Sequence, residues 1–244
     1  MKKFDIDWGL FGIVEFIISE QREIGKRYKT ALDIGSGAGV HTQILRAVGL
    51  EVFQLDKYSD KAEYKVDFIE HNLDRKFDIV FCSHVIEHQR NVGSFLDKIF
   101  DVMSDDGLLI LSAPKHAAET LIEGHLNCFF TSYFIQHLIH AGFDLKNGKF
   151  LSCGGIENAA IVSKSDNYEL NERNEDGYTW TDRHQKRSFI DLRNCTISNT
   201  DNFFNNCRVF ATDDGKNIRL INQKDFIPYG LEINSKRHKV DLKL

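Results

Sequence analysis

The sequence predicts an α/β fold with a doubly wound, mostly parallel sheet, and two observations lead to this prediction. Short apolar segments of strand length alternate with segments of helical periodicity from residue 8 to residue 163. The first strand-like segment ends in a glycine-rich turn that opens a helical segment. Strands that alternate with helices need crossover connections, and such connections place the strands parallel to one another.

The elements follow this alternation in order. Residues 8–28 carry apolar side chains at helical spacing, which predicts an amphipathic helix that covers the sheet. A helix over residues 131–141 is predicted to end at Gly142. The strand-like segments, two of them late in the chain, are 31–34, 51–56, 77–82, 108–112, 143–151 and 158–163.

Three domains are predicted along the chain. Residues 1–29 form a helical cover, residues 30–165 form the domain that carries the glycine turn, and residues 166–244 form a small β-containing appendage. The composition shifts toward Asn, Asp and Arg after residue 165. Segments 207–212 and 217–222 flank the turn sequence Asp-Asp-Gly-Lys, which predicts a hairpin in this appendage.

Composition and charge exclude several classes of protein. A hydrophobic fraction of 42% with 19 Phe excludes disorder along the whole chain, and a net charge of −5 disfavours a protein built to hold duplex nucleic acid. Five cysteines without a C-x-x-C pair indicate neither a disulfide framework nor a cysteine zinc site. Since no segment approaches the ~20 apolar residues of a membrane span, we expect a soluble cytoplasmic protein.

The glycine turn predicts a nucleoside-binding crevice. Gly35, Gly37 and Gly39 present backbone N–H groups at the start of a helix, where no Cβ blocks a ligand. The next strand-like segment ends in Asp56, which is placed to accept hydrogen bonds from a ribose diol.

The turn departs from the dinucleotide-binding pattern. Val40 occupies the sixth position, where that pattern has glycine, and Asp33 stands two residues before the first glycine. A carboxylate beside a pyrophosphate would be repelled, whereas a ligand with ammonium and sulfonium groups suits it. A dehydrogenase is therefore disfavoured.

The ordered motifs resemble those of the class I S-adenosylmethionine-dependent methyltransferase family. The resemblance covers residues 31–163 and rests on segments 32–39, 77–80 and 107–110 together with Asp56. It implies a Rossmann-like sheet of seven strands with the last strand antiparallel, and S-adenosylmethionine as the cofactor. It also assigns the cofactor contacts. The methionine part would lie over Asp33, Gly35, Ser36, Gly37 and Gly39, the ribose on Asp56, and the adenine on Asp67 and Phe68, with Asp67 reaching the exocyclic amine.

Candidate catalytic groups follow the 77–82 segment. If a helix begins at His84, then His84, Glu87 and His88 share one face, because residues three and four apart are neighbours on a helix. One hypothesis makes His84 or His88 the general base for an acceptor hydroxyl, with Glu87 as its orienting partner. Another gives these three residues and His125 a divalent metal that acidifies the hydroxyl. A structural role in starting the helix is the third.

The metal hypothesis comes from a resemblance. The spacing is similar to the E-x-x-E-H segment of metal-dependent members, the ubiquinone-pathway O-methyltransferases and the small-RNA 3′-end methyltransferases. His84 stands where these have the first glutamate. Imidazole nitrogen favours Mn, Fe, Co or Zn over Mg.

We therefore expect an S-adenosylmethionine-dependent O-methyltransferase that acts on a small polar acceptor, such as a sugar, a nucleotide-sugar or a related metabolite. Nucleic acid is not the expected partner, because the chain is acidic. The alternatives are an RNA 3′-end methyltransferase and a non-catalytic module that binds the cofactor and a partner protein.

Overall fold

The structure, a computed structural model, describes residues 3–6, 9–153, 157–165, 209–212, 218–221 and 238–241. Its centre is a six-stranded sheet in the order β3-β2-β4-β5-β7-β6, in which β7 runs antiparallel to both of its neighbours. The strands are β2 (Thr30–Ile34), β3 (Glu51–Leu55), β4 (Phe77–Ser83), β5 (Met103–Pro114), β6 (Phe143–Cys153) and β7 (Glu157–Lys164). The predicted α/β fold with its antiparallel late strand is confirmed.

The seventh strand of the predicted sheet is reduced to one parallel bridge between Tyr64 and Leu55. The Tyr64 N–H donates to the Gln54 carbonyl at 2.9 Å, and the Asp56 N–H donates to the Tyr64 carbonyl at 3.1 Å. The residues on either side of Tyr64 are exposed and charged, so the edge stops after one residue. The predicted seven-stranded arrangement is thus present, with a single bridge residue in place of a full strand at the β3 edge.

Helices cover both faces of the sheet: α1 (Leu10–Glu20), α2 (Val40–Ala47), α3 (Val92–Val102) and α4 (Thr131–His140). Successive strand residues point to opposite faces. Ile79 and Phe81 accordingly pack with α1 and α2, whereas Val80 and Cys82 pack with α3 and α4. The two apolar clusters make the sheet doubly wound, as the alternation predicts.

The first helix is shorter than the predicted 8–28. It ends at Glu20, and the residues that follow fold into turns in which the Glu23 carbonyl accepts from three successive amides. Gly25 has φ of 80°, which is incompatible with a continuing right-handed helix, while Ile24 and Tyr28 still pack into the apolar cluster under α1.

Two small sheets lie outside the main one. Val209–Thr212 pairs antiparallel with Ile218–Ile221, which is the hairpin predicted in the appendage. Lys3–Ile6 (β1) pairs antiparallel with His238–Asp241, and no local pattern predicts so distant a pairing. Most of 166–244 lies outside the described residues, and the division into three domains stays a prediction. Within the described part, no helix combines the length and the apolar character needed to cross a membrane.

Candidate active site

The glycine turn lies between β2 and α2, and all three glycines have left-handed backbone geometry, with φ of 72° at Gly35, 51° at Gly37 and 78° at Gly39. A Cβ on Gly35 would lie 2.2 Å from Val85 Cγ2, and one on Gly39 would lie 2.6 Å from Gln54 Nε2. A Cβ on Gly37 would meet no atom of the described residues within 4 Å. Packing therefore requires glycine at two positions, whereas Gly37 faces open space that a ligand can use.

The side chain of Ser36 adds a polar atom to this turn. Its Oγ is buried and has no hydrogen-bond partner among the described residues. The backbone around it is fixed, because the N–H groups of Gly35 and Ser36 both donate to the Leu55 carbonyl, at 2.7 and 3.2 Å. A buried hydroxyl without a partner is unfavourable unless something hydrogen-bonds to it, so this atom fits a polar ligand.

Asp33 lies behind the turn and is buried. Its Oδ2 accepts a hydrogen bond of 2.5 Å from Thr42 Oγ1. Desolvation by burial outweighs this hydrogen bond and raises the pKa of Asp33 to about 7. The carboxyl group is thus only partly ionised near neutral pH, and a bound cation would favour its charged form.

This pKa predicts a pH-dependent stability. Because the folded pKa of Asp33 lies above its unfolded value of 3.8, the carboxyl group contributes most below about pH 4, and this contribution is lost as pH rises through about 7. The rise corresponds to about 4 kcal/mol. We expect the difference in unfolding free energy between the wild type and Asp33→Asn to fall by that order between pH 4 and 8, in urea titrations. A pH-independent difference would contradict the assignment.

Asp56 directly follows β3 and holds the turn in place. Its Oδ2 accepts from the Gly37 N–H at 2.8 Å, and its Oδ1 accepts from the N–H groups of Tyr58 and Ser59 at 2.7 and 2.8 Å. A carboxylate has about four acceptor positions. Asp56 therefore keeps capacity for the predicted ribose contact, but much of its role is to connect the two loops.

The two residues assigned to adenine differ in their surroundings. Asp67 pairs with Lys57 at 2.9 Å, and this hydrogen bond lowers the pKa of Asp67. The ring of Phe68 is buried and packs edge-on against Phe95, with 5.5 Å between centroids. The Phe68 ring therefore offers little exposed surface to a ligand, and the adenine assignment of both residues stays a prediction.

The segment after β4 forms no α-helix, so the condition under which His84, Glu87 and His88 would share a helical face is not met. Ile86–His88 forms one 3-10 turn, and His84 precedes it with φ of 53°. Among the described residues, His84 is the one non-glycine residue with positive φ. Its N–H donates to the Ser112 carbonyl at 3.1 Å, so the chain is held to β5 while it turns away from the sheet.

His84 lies between two buried carboxylates. Its Nε2 is 2.8 Å from Glu157 Oε2, and its Nδ1 is 3.4 Å from Glu87 Oε1. Burial lowers the pKa of His84, but the hydrogen bonds and charges of Glu157 and then Glu87 outweigh it and raise the pKa to about 9. His84 is therefore charged at neutral pH. A protonated imidazole cannot accept a further proton, so this pKa disfavours His84 and favours His88 within the general-base hypothesis.

His88 has the geometry that His84 lacks. Its Nδ1 is 2.9 Å from the Gly124 carbonyl, which can only accept, so Nδ1 carries the proton. In the neutral ring, Nε2 then keeps the lone pair that a base or a metal ligand needs. The side chain is 45% exposed, and its ring meets the His125 ring edge-on at 4.8 Å between centroids.

Three of the four predicted metal ligands come together. Glu87, His88 and His125 each offer a ligand atom, and these atoms lie within 4.8 Å of one another. Glu87 Oε2 is buried without a hydrogen-bond partner in the described part of the chain, and Oε1 faces His84 Nδ1 at 3.4 Å, so the carboxylate keeps acceptor capacity that fits a cation. His84 is not in this group, since its ring nitrogens face Glu87 and Glu157, and the predicted four-ligand set is corrected to three residues.

Sequence reasoning missed Glu157, which the fold places against His84. It stands directly before the apolar 158–163 segment, and an acid at the entrance of a buried strand is the signal that could have identified it. It also missed Glu119, whose Oε2 lies 3.3 Å from His125 Nδ1.

Val85 lies between the two parts of the candidate site, the glycine turn and the segment that carries Glu87 and His88. It contacts the glycine turn at Gly35 and immediately precedes the 3-10 turn that carries Glu87 and His88. Both groups lie at the carboxyl ends of the parallel strands, the usual ligand edge of such sheets.

Comparison with known proteins agrees with this architecture. Residues 13–195 match a family profile described as a methyltransferase domain. The ubiquinone biosynthesis O-methyltransferase of Rickettsia felis is 27% identical over 127 residues, which cover 46% of this chain and 51% of that protein. The Bradyrhizobium diazoefficiens enzyme of the same name is 30% identical over 96 residues, or 33% of this chain and 38% of that protein. The chain thus spans about half the length of the first of these curated relatives.

Solved structures share the fold at low sequence identity. The 1,6-didemethyltoxoflavin-N1-methyltransferase of Burkholderia thailandensis, with bound S-adenosylhomocysteine, has a TM-score of 0.50 at 16% identity, covering 64% of this chain and 79% of that one. DesVI of Streptomyces venezuelae has a TM-score of 0.51 at 10% identity, covering 64% of this chain and 92% of that one. At these identities the likeness shows the fold alone.

Proposed function

Because the chain belongs to the methyltransferase-domain family, we propose that it transfers a methyl group from S-adenosylmethionine to a hydroxyl oxygen of a small-molecule acceptor. The observation that carries this proposal is the open turn at Gly37, next to a Ser36 hydroxyl that is buried without a hydrogen-bond partner among the described residues, and backed by the buried acid Asp33. These groups fit a ligand that offers polar atoms to the turn and positive charge to the acid.

S-adenosylmethionine, when bound, supplies a methyl group on a positively charged sulfur. Ser36 and Gly37 would hold its amino-acid end, and Asp33 would favour its cationic groups from behind the turn. The ionised form of Asp33 binds a cation best, so the proposed site works most effectively above about pH 7, the pKa of that carboxyl group. The Burkholderia neighbour, solved with S-adenosylhomocysteine, is consistent with this ligand.

His88 is the proposed general base. Its Nε2 would take the proton of the acceptor hydroxyl while the oxygen forms its bond to the methyl group and the sulfur–methyl bond breaks. The hydrogen bond from Nδ1 to Gly124 keeps the ring in the tautomer that this step needs. His84 cannot share this role at neutral pH, because it already carries a proton between Glu157 and Glu87.

A second mechanism is favoured by the three-residue group at the same place. Glu87, His88 and His125 would hold a divalent metal, which would lower the pKa of the acceptor hydroxyl and so replace the base. Two imidazoles and one carboxylate favour Mn, Fe, Co or Zn over Mg.

The acceptor is proposed to be a hydroxyl-bearing metabolite. The name of the curated relatives favours oxygen as the methylated atom. Sugars and nucleotide-sugars stay candidates. The exposed apolar side chains of Leu121, Leu126 and Phe130 near His125 also favour an acceptor with an apolar or aromatic part. RNA is disfavoured by the net charge of −5.

An assay with S-adenosylmethionine labelled in its methyl group tests the proposal. The protein is incubated with catechols, simple phenols, sugars, nucleotide-sugars and short RNA, and S-adenosylhomocysteine and labelled products are measured. We expect a labelled O-methyl ether with one of the small acceptors. Label found on nitrogen or on RNA, or no turnover with any acceptor, would contradict it. Activity that survives EDTA supports His88 as base, and activity restored by Mn or Zn supports the metal.

A further inference from the structure

We propose that Glu157 is a positioning residue of the candidate active site, which acts through the His84 ring on the Glu87 carboxylate and through the Gly9 amide on the start of α1. The catalytic part of this inference rests on the proposed function, and the positional part rests on the contacts of these residues alone.

Glu157 is fixed at the centre of the site. It is the first residue of β7 and is opposite Pro114 in β5 and Cys153 in β6. Its side chain is 1% exposed, and its Oε2 accepts from His84 Nε2 at 2.8 Å and from the Gly9 N–H at 3.1 Å. A carboxylate that is so deeply buried depends on such donors. Its position is therefore coupled to both partners.

The position of the Glu157 carboxylate affects the Glu87 carboxylate through the His84 ring, which lies between them. A left-handed backbone at a non-glycine residue is strained and persists when the surroundings hold it there. At His84, the Ser112 carbonyl holds the backbone, and the ring lies between Glu157 and Glu87. Since the ring is planar and rigid, a movement of the Glu157 carboxylate displaces the nitrogen that faces Glu87.

Glu87 is held at its backbone but weakly at its carboxylate. Its carbonyl accepts from the N–H groups of Leu126 and Asn127 at 2.8 and 3.0 Å. Its Oε1 lies 3.4 Å from His84 Nδ1 on one side and 4.0 Å from His88 Nε2 on the other. Without the anchored His84 ring, the carboxylate would be free to shift relative to His88.

The hydrogen bond from the Gly9 N–H to Glu157 also fixes the position of the start of α1. Gly9 is the residue that precedes the helix, and its φ is 78°. A Cβ at this position would lie 2.0 Å from Ser83 Oγ, so glycine allows the chain to pass closely over the end of β4. Glu157 therefore fastens the first helix to the strand end from which His84 emerges.

Glu157→Gln tests the proposal against Glu15→Gln as the matched control. Glu15 is also buried, but it pairs with Lys149 at 3.7 Å and is not part of the site. We expect Glu157→Gln to lower kcat by about 10- to 100-fold with little change in the KM for S-adenosylmethionine. Glu15→Gln should keep kcat even where its loss of Tm is similar. Equal kcat values for the two variants would overturn the proposal.

A second readout needs no turnover. In protein with ¹⁵N-labelled histidine, we expect Glu157→Gln to shift the imidazole resonances of both His84 and His88, and Glu15→Gln to leave them in place. If the wild type methylates nothing, the proposed function fails while this measurement still tests the positioning role. Unchanged His84 and His88 resonances in Glu157→Gln would overturn it.

In the catalytic readout, adding Glu157→Gln to His84→Gln should cause little further loss of kcat, whereas independent losses would contradict action through the ring.

Discussion

His88→Gln is expected to lower kcat by about 10²- to 10⁴-fold, the usual contribution of a general base. Glutamine keeps a polar side chain that can still donate to the Gly124 carbonyl, but it has no group that can accept the acceptor's proton at neutral pH. The affinity for S-adenosylmethionine should be unchanged, since the glycine turn is untouched. Initial rates at saturating acceptor, together with a cofactor titration, separate these two effects.

His116→Gln is the matched control, because the His116 side chain is exposed, follows β5 at the same edge of the sheet, and within the described part of the chain accepts one hydrogen bond, from the Ala118 N–H. It should keep wild-type kcat. His125→Gln distinguishes the two mechanisms. A loss as large as that of His88→Gln would favour the metal, whereas a small loss would favour base catalysis. A fully active His88→Gln variant would show that His88 takes part in neither mechanism.

Gly37→Val is expected to weaken S-adenosylmethionine binding by about 100-fold or more, equivalent to about 2.8 kcal/mol. A Cβ on Gly37 meets no protein atom within 4 Å, so the added side chain would occupy the space assigned to the ligand. Stability should fall only by the cost of a left-handed backbone, about 1–2 kcal/mol. Calorimetric titration and thermal unfolding measure the two quantities on the same sample.

Gly25→Val provides the comparison for this effect. Gly25 also has positive φ, at 80°, and open space around its Cβ position, but it precedes β2 at the other end of the strands. This variant should show a similar loss of stability with normal cofactor binding. If Gly37→Val binds the cofactor as tightly as Gly25→Val does, the ligand does not lie over the turn.

The fold and the cofactor turn could be predicted because both depend on short-range patterns. A buried strand that ends in three alternate glycines can adopt few backbone conformations, so the turn was predictable. Asp56 was predictable because it stands at the end of the next strand-like segment, one crossover connection after the turn. The helical covers followed from apolar spacing, but the extent of α1 was overestimated, because the left-handed backbone at Gly25 interrupts the helix while Tyr28 still reaches the core.

The chemistry of the histidines depended on long-range contacts that no local pattern contains. Three-residue spacing predicted His84 and Glu87 on one helical face, but the hydrogen bond of the His84 amide to Ser112 replaces the helix with a sharp turn. Glu157 is 73 residues away from His84 in sequence, yet it decides the protonation of that ring. The general-base assignment then follows from what faces each ring nitrogen, which requires the folded chain.

The most direct measurement of the central claim is a calorimetric titration of the wild-type protein with S-adenosylmethionine and with S-adenosylhomocysteine at pH 8, where Asp33 is mostly ionised. The proposed site predicts binding of one equivalent of each, with dissociation constants within about 1 μM to 1 mM, and strongly weakened binding in Gly37→Val. A folded protein, verified by cooperative thermal unfolding, that gives no binding heat with either ligand would contradict it.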